Sequence, residues 1–455
     1  MTNIVDFFLP EGVDPAAVYL ALSKSGLSEQ SFLYASDTET RIALGSAARV
    51  TVDGDQVTLQ TKGGGQISEP ATDPFEQVPR LLRSASASGE WTAFGHVSFD
   101  IARHYLPYGH RPEVPELVFT IPEVELIIRG RSVRLINGWT IGASTVRALR
   151  ALVEAARALP DAELPVPFLP LVDHALAPEY QDKVRELTRA IQQGSLSKAI
   201  LSRRVVFDGR LDVPGTYAVA SRINSGVRSF GFRTERIASV GFSPEVLLEA
   251  TSEGTVTTCL LAGTRRRGVD AAEDERLQAE LLASAKEVKE HAMSVQLAQE
   301  EIRSVCRPSS LRIFEFMNIK KFRTVQHLGS KVSGELLPEL SAWDALRVLF
   351  PAITVAGVPK SAALRWIGTL EEHPRGIYGG VVGYVDSQGN VDLALAIRSA
   401  FEYRGQVQLN AGAGIVGESD PEFEYTESVN KMKMMLGQTV LAGSRAPAPA
   451  SGVGK

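Results

Sequence analysis

Cysteine is almost absent: Cys259 and Cys306 are the two in 455 residues. Two thiols cannot build a disulfide framework or a cysteine zinc site, and such usage suits a reducing cytoplasm. Long apolar runs are missing too. The nearest, "AWDALRVLFPAITVAGVP", is interrupted by Asp344, Arg347 and Pro351 and falls short of the roughly 18 residues a membrane helix needs. The opening "MTNIVDFFLPEGVD" has neither the basic start nor the long apolar core of a secretory signal. A basic excess is also lacking. The formal net charge is -5, which argues against a general nucleic-acid or anionic-membrane partner. The short clusters Arg265, Arg266, Arg267 and Lys320, Lys321, Arg323 read as solvated faces. The expectation is a cytoplasmic protein with no membrane and no nucleic-acid partner.

What is present is ordinary globular composition, 44% hydrophobic and 22% charged, enough for a sizeable core. The first 150 residues are rich in strand and turn signals. "RIALGSAARVTVDGDQVTLQT" alternates around Asp53-Gly54-Asp55, a hairpin signature, and "LIIRGRSVRLING" reads as another. "TVRALRALVEAARAL" has helical period. Prolines 160, 165, 167 and 170 then mark an irregular connector. The division expected is a strand-rich N-terminal part of one fold (1–170), a core (175–440) and a disordered, low-complexity tail (441–455).

Inside the core, Pro178 opens a helix that Gly194 stops. Lys198 follows at a helix-to-strand junction, ahead of the apolar Ala199, Ile200 and Leu201. Two more helices are predicted, "AKEVKEHAMSVQLAQEEIRSV" and, from about Pro421, "PEFEYTESVNKMKMMLGQTVL". "VDLALAIRSAFEY" and "QVQLNAGAGIV" read as alternating strands. Hairpin strands interleaved with long helices suggest an α+β (mixed α/β) fold with antiparallel sheets.

Two features carry chemistry. A lysine at a strand mouth is either an edge residue with its amine in water or a base held in a cleft. Glu287 and Glu290 are three apart on one helix; Glu424, Glu427 and Lys431 share one face of another. Such faces are either solvated, with an i,i+4 pair, or a site for Mg²⁺, a hard cation that takes one or two carboxylates and leaves the rest to water and substrate.

Ten stretches decide between these readings. "LSKAILSRR", "GFSPEVLL", "LAGTRRRG", "AKEVKEH", "VQHLGS", "FPAITVAGVPK", "PRGIYGGVVGY", "LALAIRSA", "NAGAGIV" and "EFEYTESVNK" occur in the order found in chorismate-utilising enzymes, a group the chain resembles from about 178 to 440. "WTAFGHVSFDIARHYLP" adds a weaker match. The resemblance implies an anthranilate synthase large-subunit-like fold of large antiparallel sheets flanked by helices. It also implies a base at Lys198, where ammonia-using members usually carry glutamine and water-adding members carry lysine. A lysine acting as a base near neutral pH must lose much of its ordinary basicity, which burial and a nearby cation both promote.

The resemblance further implies Glu245 as the acid that protonates a departing ring hydroxyl. Glu290 and Glu427 match Mg²⁺ ligands, with Glu287 and Glu424 acting directly or through water. Tyr378 and Arg398 match groups that hold the enolpyruvyl carboxylate, beside Gly412, Gly414 and Lys431. Gly263 and Thr264 line the ring, and His327 orients it. His96 and His291 are expected to be structural. Thr264, His327 and Thr354 look closer to salicylate synthases, whose reaction would convert chorismate to isochorismate and then to salicylate and pyruvate. Isochorismate synthase and, further off, anthranilate synthase component I or a non-catalytic relative are the alternatives. No glutaminase subunit is implied, and a monomer is the expectation.

Overall fold

The computed structural model describes residues 3–443 except 87–89, 138–141, 158–159, 161–162, 169–176, 225 and 324. Both hairpins form where the turn signals stand. Asp53 pairs with Gln56 across Gly54 at φ 61, and Arg129 pairs with Ser132 across Gly130 at φ 57. These are left-handed positions that glycine reaches without a Cβ penalty. The helix at Pro178 spans Ala177–Gln192 and buries Tyr180, Val184, Leu187 and Ala190. Of the expected tail, residues 444–455 lie outside the described residues, while Leu441 bridges to Leu211.

Two eleven-stranded sheets result, and every strand pairing among the described residues is antiparallel. The first runs from Asn3–Phe8 at one edge, through Ile237–Ser243, Ser399–Tyr403, Gln406–Ile415 and Lys198–Asp208, to Gly357–Val358 at the other. The second runs from Arg312–Lys321 through Val325–Glu335, Thr255–Arg266, Val246–Ala250 and Val391–Leu395 to Gln66–Pro70. Strands from both sides of the proline-rich connector stand in each sheet.

The sheets face one another across an aromatic layer in which Phe32 stacks on Phe232, ring centroids 5.2 Å apart, and packs tilted against Phe94 at 5.4 Å. Helices cover both outer faces. Pro74–Ala85, Ala285–Val305 and Ala342–Leu349 pack on the second sheet; Pro15–Lys24, Val213–Ala220 and Pro421–Leu436 pack on the first. Apolar faces are thereby buried in a helix–sheet–sheet–helix stack, the α+β architecture expected. Among the described residues no helix is long and apolar enough to cross a membrane.

One expected strand is wrong. "VDLALAIRSAFEY" is two strands in different sheets: Val391–Leu395 belongs to the second and Ser399–Tyr403 to the first. The chain changes sheets over residues 396–398, and Arg398 takes the turn at φ 50. Both halves are apolar, so the periodicity runs through the break. A non-glycine residue in the left-handed region marks a site where surrounding structure holds the backbone against its preference.

Candidate active site

The change of sheet opens a gap. On the side away from Ile237–Ser243, Ser399–Tyr403 pairs with the Gln406–Ile415 strand, which carries Gly412, as far as Leu409. From Asn410 to Ile415 that strand keeps the Lys198 strand on one side and, among the described residues, no strand on the other. Here lies a cavity of about 510 Å³. Every site residue expected from the sequence lines it: Lys198, Glu245, Gly263, Thr264, Glu287, Glu290, His327, Thr354, Tyr378, Arg398, Gly412, Gly414, Glu424, Glu427 and Lys431.

Lys198 is the first residue of its strand and is 8% exposed. Its Nζ donates to Glu290 Oε2 at 3.1 Å. Gly414 makes room for it, since a Cβ there would stand 3.0 Å from Lys198 Cε. Glu245 is buried just past the Ile237–Ser243 strand. The Thr354 hydroxyl donates to its Oε1 at 2.8 Å. Burial raises the Glu245 carboxyl to about 8, against opposing pulls from Thr354, the Leu261 backbone, Lys198 and Arg398. At neutral pH it therefore carries a proton it can give away.

Arg398 lies deep, and burial lowers it to about 10, which leaves it a cation near neutrality. His327 sits between Arg398 and the Gly263 turn. Its Nδ1 is 3.0 Å from the Gly263 carbonyl and 3.0 Å from Thr264 Oγ1; its Nε2 is 3.2 Å from Arg398 Nη2. A carbonyl only accepts and a guanidinium only donates, so the geometry assigns the proton to Nδ1 and makes Nε2 the acceptor. Burial and the Arg398 charge push the ring down to about 3, so it is neutral. It holds Arg398 rather than supplying a proton. Tyr378 is buried, its hydroxyl pushed up to about 12 and joined to the Gly412 backbone. Lys431 Nζ donates to the Gly412 carbonyl at 3.0 Å. Residues two apart on a strand turn their backbone groups to the same side, so Gly412 and Gly414 both present main-chain donors along the open edge.

The acidic wall comes from two helices. Ser284 caps the first, Ala285–Val305, which carries Glu287 and Glu290; Asp420 caps the second, Pro421–Leu436, which carries Glu424 and Glu427. Gly263, at φ 62, lets the chain pass Glu287: a Cβ would stand 3.0 Å from Glu287 Oε2. Each carboxylate has a protein partner. Glu290 has Lys198, Glu427 has Lys431 at 2.6 Å, Glu424 has the Ser419 hydroxyl at 2.8 Å, and Glu287 is 3.5 Å from Arg265. Among the described residues no group of three or more His, Cys, Asp or Glu converges tightly enough to cage a metal. A hard cation that keeps water and substrate oxygens needs fewer. Burial, and after it the nearby Glu427 charge, raise Glu424; carboxylates crowded in this way repel one another, and a bound cation would offset that repulsion. The donor set fits Mg²⁺.

Some contributors were not foreseen. Arg265, read as part of a solvated cluster, lines the cavity, while Arg267 pairs with Asp274 at 2.7 Å and Lys321 with the same carboxylate at 2.9 Å. Lys286, Asn430 and Phe423 also line it; only their place inside quoted motifs hinted at this. His96 and His291 are buried, the first stacked on Phe232 and the second 2.6 Å from Ser330 Oγ.

The model of the chorismate binding enzyme family matches residues 29–437. The salicylate synthase of Mycolicibacterium paratuberculosis is 34% identical over 438 residues, 94% of each chain. Anthranilate synthase component 1 of Aquifex aeolicus is 40% identical over 260 residues, 57% of this chain and 52% of that one. Among solved structures, anthranilate synthase component I from Streptococcus pneumoniae superposes with a TM-score of 0.76 at 26% identity, covering 94% of this chain and 99% of that one. The menaquinone-specific isochorismate synthase of Escherichia coli does so at 0.72 and 22% identity, covering 96% and 95%, a likeness of fold alone.

Proposed function

We propose that this chain, which belongs to the chorismate binding enzyme family, converts chorismate to salicylate and pyruvate through bound isochorismate. The observation that carries the reading is the pairing of a buried lysine amine with a protonated carboxyl on one cavity: Lys198 and Glu245. The near full-length sequence likeness to a salicylate synthase supports it; the Aquifex aeolicus anthranilate synthase component 1 aligns in sequence over 57% of this chain.

In the first step Lys198 is the base: it takes a proton from water as the oxygen attacks ring C2. Glu245 gives its proton to the hydroxyl leaving C4, so one water enters and one departs. Thr354 holds Glu245 in place, and the two groups act from opposite faces of the ring. Arg398, Tyr378 and the backbone at Gly412 and Gly414 grip the enolpyruvyl carboxylate, for which a planar guanidinium fork is well matched. His327 fixes the Arg398 fork. Glu290 and Glu427, helped by Glu287 and Glu424, would hold Mg²⁺, which when bound neutralises the ring carboxylate against this acidic wall.

In the second step the C2 hydrogen passes to the enolpyruvyl methylene carbon while the C3–oxygen bond breaks, giving salicylate and pyruvate. That transfer needs a held conformer and no second base; positioning alone is worth several kcal/mol, on the order of 7 in favourable cases. The test is a time course of chorismate with Mg²⁺ and no ammonia, following isochorismate, salicylate and anthranilate. Salicylate and pyruvate in equal amounts are expected. Isochorismate accumulating alone makes the enzyme an isochorismate synthase; anthranilate formed only with ammonium overturns the reading of Lys198.

A further inference from the structure

Arginine is rarely a fully buried side chain, yet Arg375 heads the largest fully buried residues of this molecule, 1% exposed. It lies outside the cavity lining, in the "PRGIYGG" stretch. Its Nε and Nη2 fork onto Glu371 at 2.8 and 2.6 Å. The remaining donors go to main chain: Nη1 to the Val355 carbonyl and Nη2 to the Ile200 carbonyl, both at 2.7 Å. Glu371 Oε1 also accepts the Ser202 N–H at 2.7 Å.

The receivers share one property. Ile200 is two residues from Lys198 on the same strand. Val355 follows Thr354, which holds Glu245. Beyond Lys198 and Ala199, the edge of the Lys198 strand has no partner strand on this side among the described residues; the Arg375–Glu371 pair takes the place of one, satisfying Ile200 O and Ser202 N–H. The turn bearing Arg375 is itself pinned: Asp100 accepts the N–H groups of Arg375 at 3.1 Å and Gly376 at 2.9 Å. The guanidinium lies over Phe99 at 4.4 Å and 5.9 Å from the Tyr378 ring centre. Phe99 and Asp100 come from the N-terminal "SFDIARHY" stretch, to which the chemistry assigned no part.

We infer that Arg375, locked to Glu371, is a positioning residue that fixes the Lys198 strand and the Thr354 segment relative to one another, and so sets base and acid in register. The inference rests on the proposed function. A planar guanidinium reaches two carbonyls and a carboxylate at fixed angles; an ammonium does not. Catalysis by oriented groups is sensitive to displacements of about 1 Å, whereas the anion grip at Arg398 and Gly412 does not touch Arg375.

The test uses the full chain with chorismate and Mg²⁺. Arg375→Lys keeps a cation beside Glu371 and loses the two-carbonyl reach. Its kcat is expected to fall at least tenfold with chorismate KM within threefold, and the ratio of released isochorismate to salicylate to rise at least fivefold. That ratio is counted per turnover, so a smaller folded fraction does not move it. Glu371→Gln, which keeps an oxygen for Ser202, should shift both readouts in the same direction by less, and decides the matter where Arg375→Lys folds poorly. A lower melting temperature with unchanged kcat per folded molecule and unchanged product ratio overturns the inference. Wild-type protein that forms isochorismate and no salicylate overturns the second step of the proposed function instead, and Arg375 is then judged on the kcat and KM split.

Discussion

Replacing Glu245 by glutamine removes one titration from the folded state and leaves shape nearly unchanged. The carboxyl is 4% exposed, and burial raises it from the ordinary 4.5 to about 8. At about 1.36 kcal/mol per pH unit, that gap corresponds to about 5 kcal/mol. The folded value lies above the unfolded one, so the folded chain keeps the proton longer. The contribution is whole below about pH 4.5 and is lost as the pH climbs to about 8. Between pH 5 and pH 8 the wild type should therefore lose about 3.5 kcal/mol relative to Glu245→Gln. Glutamine still accepts from Thr354, and any mismatch with the Leu261 N–H adds a constant of about 1–3 kcal/mol at every pH. The informative quantity is thus the change in the difference. Urea unfolding of both proteins at pH 5, 6.5 and 8 measures it. Parallel profiles, with a difference constant to within about 1 kcal/mol, would refute the reasoning: Glu245 would be ionised in the fold at neutral pH and could not act as a proton donor. The same variant should fail to turn over chorismate, and wild-type turnover should decline as pH rises through about 8.

Thorough chelation should abolish turnover and Mg²⁺ restore it, while Glu290→Gln and Glu427→Gln should each cost roughly 100-fold, a neutral amide being a poor ligand for a hard cation; full activity after chelation refutes the metal assignment. Lys198→Ala should lose isochorismate formation by about 100-fold or more with an unchanged circular dichroism spectrum, and unchanged water addition in the folded variant removes Lys198 as base. Gly414→Ala places a Cβ 3.0 Å from Lys198 Cε at a position with no left-handed φ. It should lower kcat about tenfold or more with little change in melting temperature, and wild-type kcat would show that the amine needs no such clearance.

Local chemistry was legible where one residue type dictates one geometry. The turns at Gly54 and Gly130, the helix starts at Pro178 and Pro421, and the shared face of Glu424 and Glu427 follow from backbone rules that act over a few residues. The gathering of Lys198, Glu245 and Arg398 on one cavity followed from ordered motifs, which carry a whole fold's worth of spacing. Two things stayed hidden. The sheet change at Arg398 interrupts an unbroken apolar pattern with a strained residue that has no sequence mark. Arginine is seldom fully buried, and nothing near Arg375 in sequence marks it as an exception: its guanidinium is held by Glu371, four residues before it, and by the distant carbonyls of Ile200 and Val355. The ion pairs Lys198–Glu290 and Lys431–Glu427 show the same limit: i,i+4 spacing predicts the second, and only tertiary packing brings about the first.

The open edge of the Gly412 strand carries a liability of another kind. Unpaired strand edges are templates on which a second chain can add itself, and natural sheets shield them. From Asn410 to Ile415 the shield is the helix Pro421–Leu436, tied down by Lys431 on the Gly412 carbonyl and by Met432 and Met435 in the core beside Leu409 and Ala411. That helix also carries half of the acidic wall. Fraying it uncovers an adhesive edge and dismantles the site in one event. On heating, the loss of turnover and the first rise in light scattering should therefore arrive together, and variants that tighten this helix should delay both by the same number of degrees.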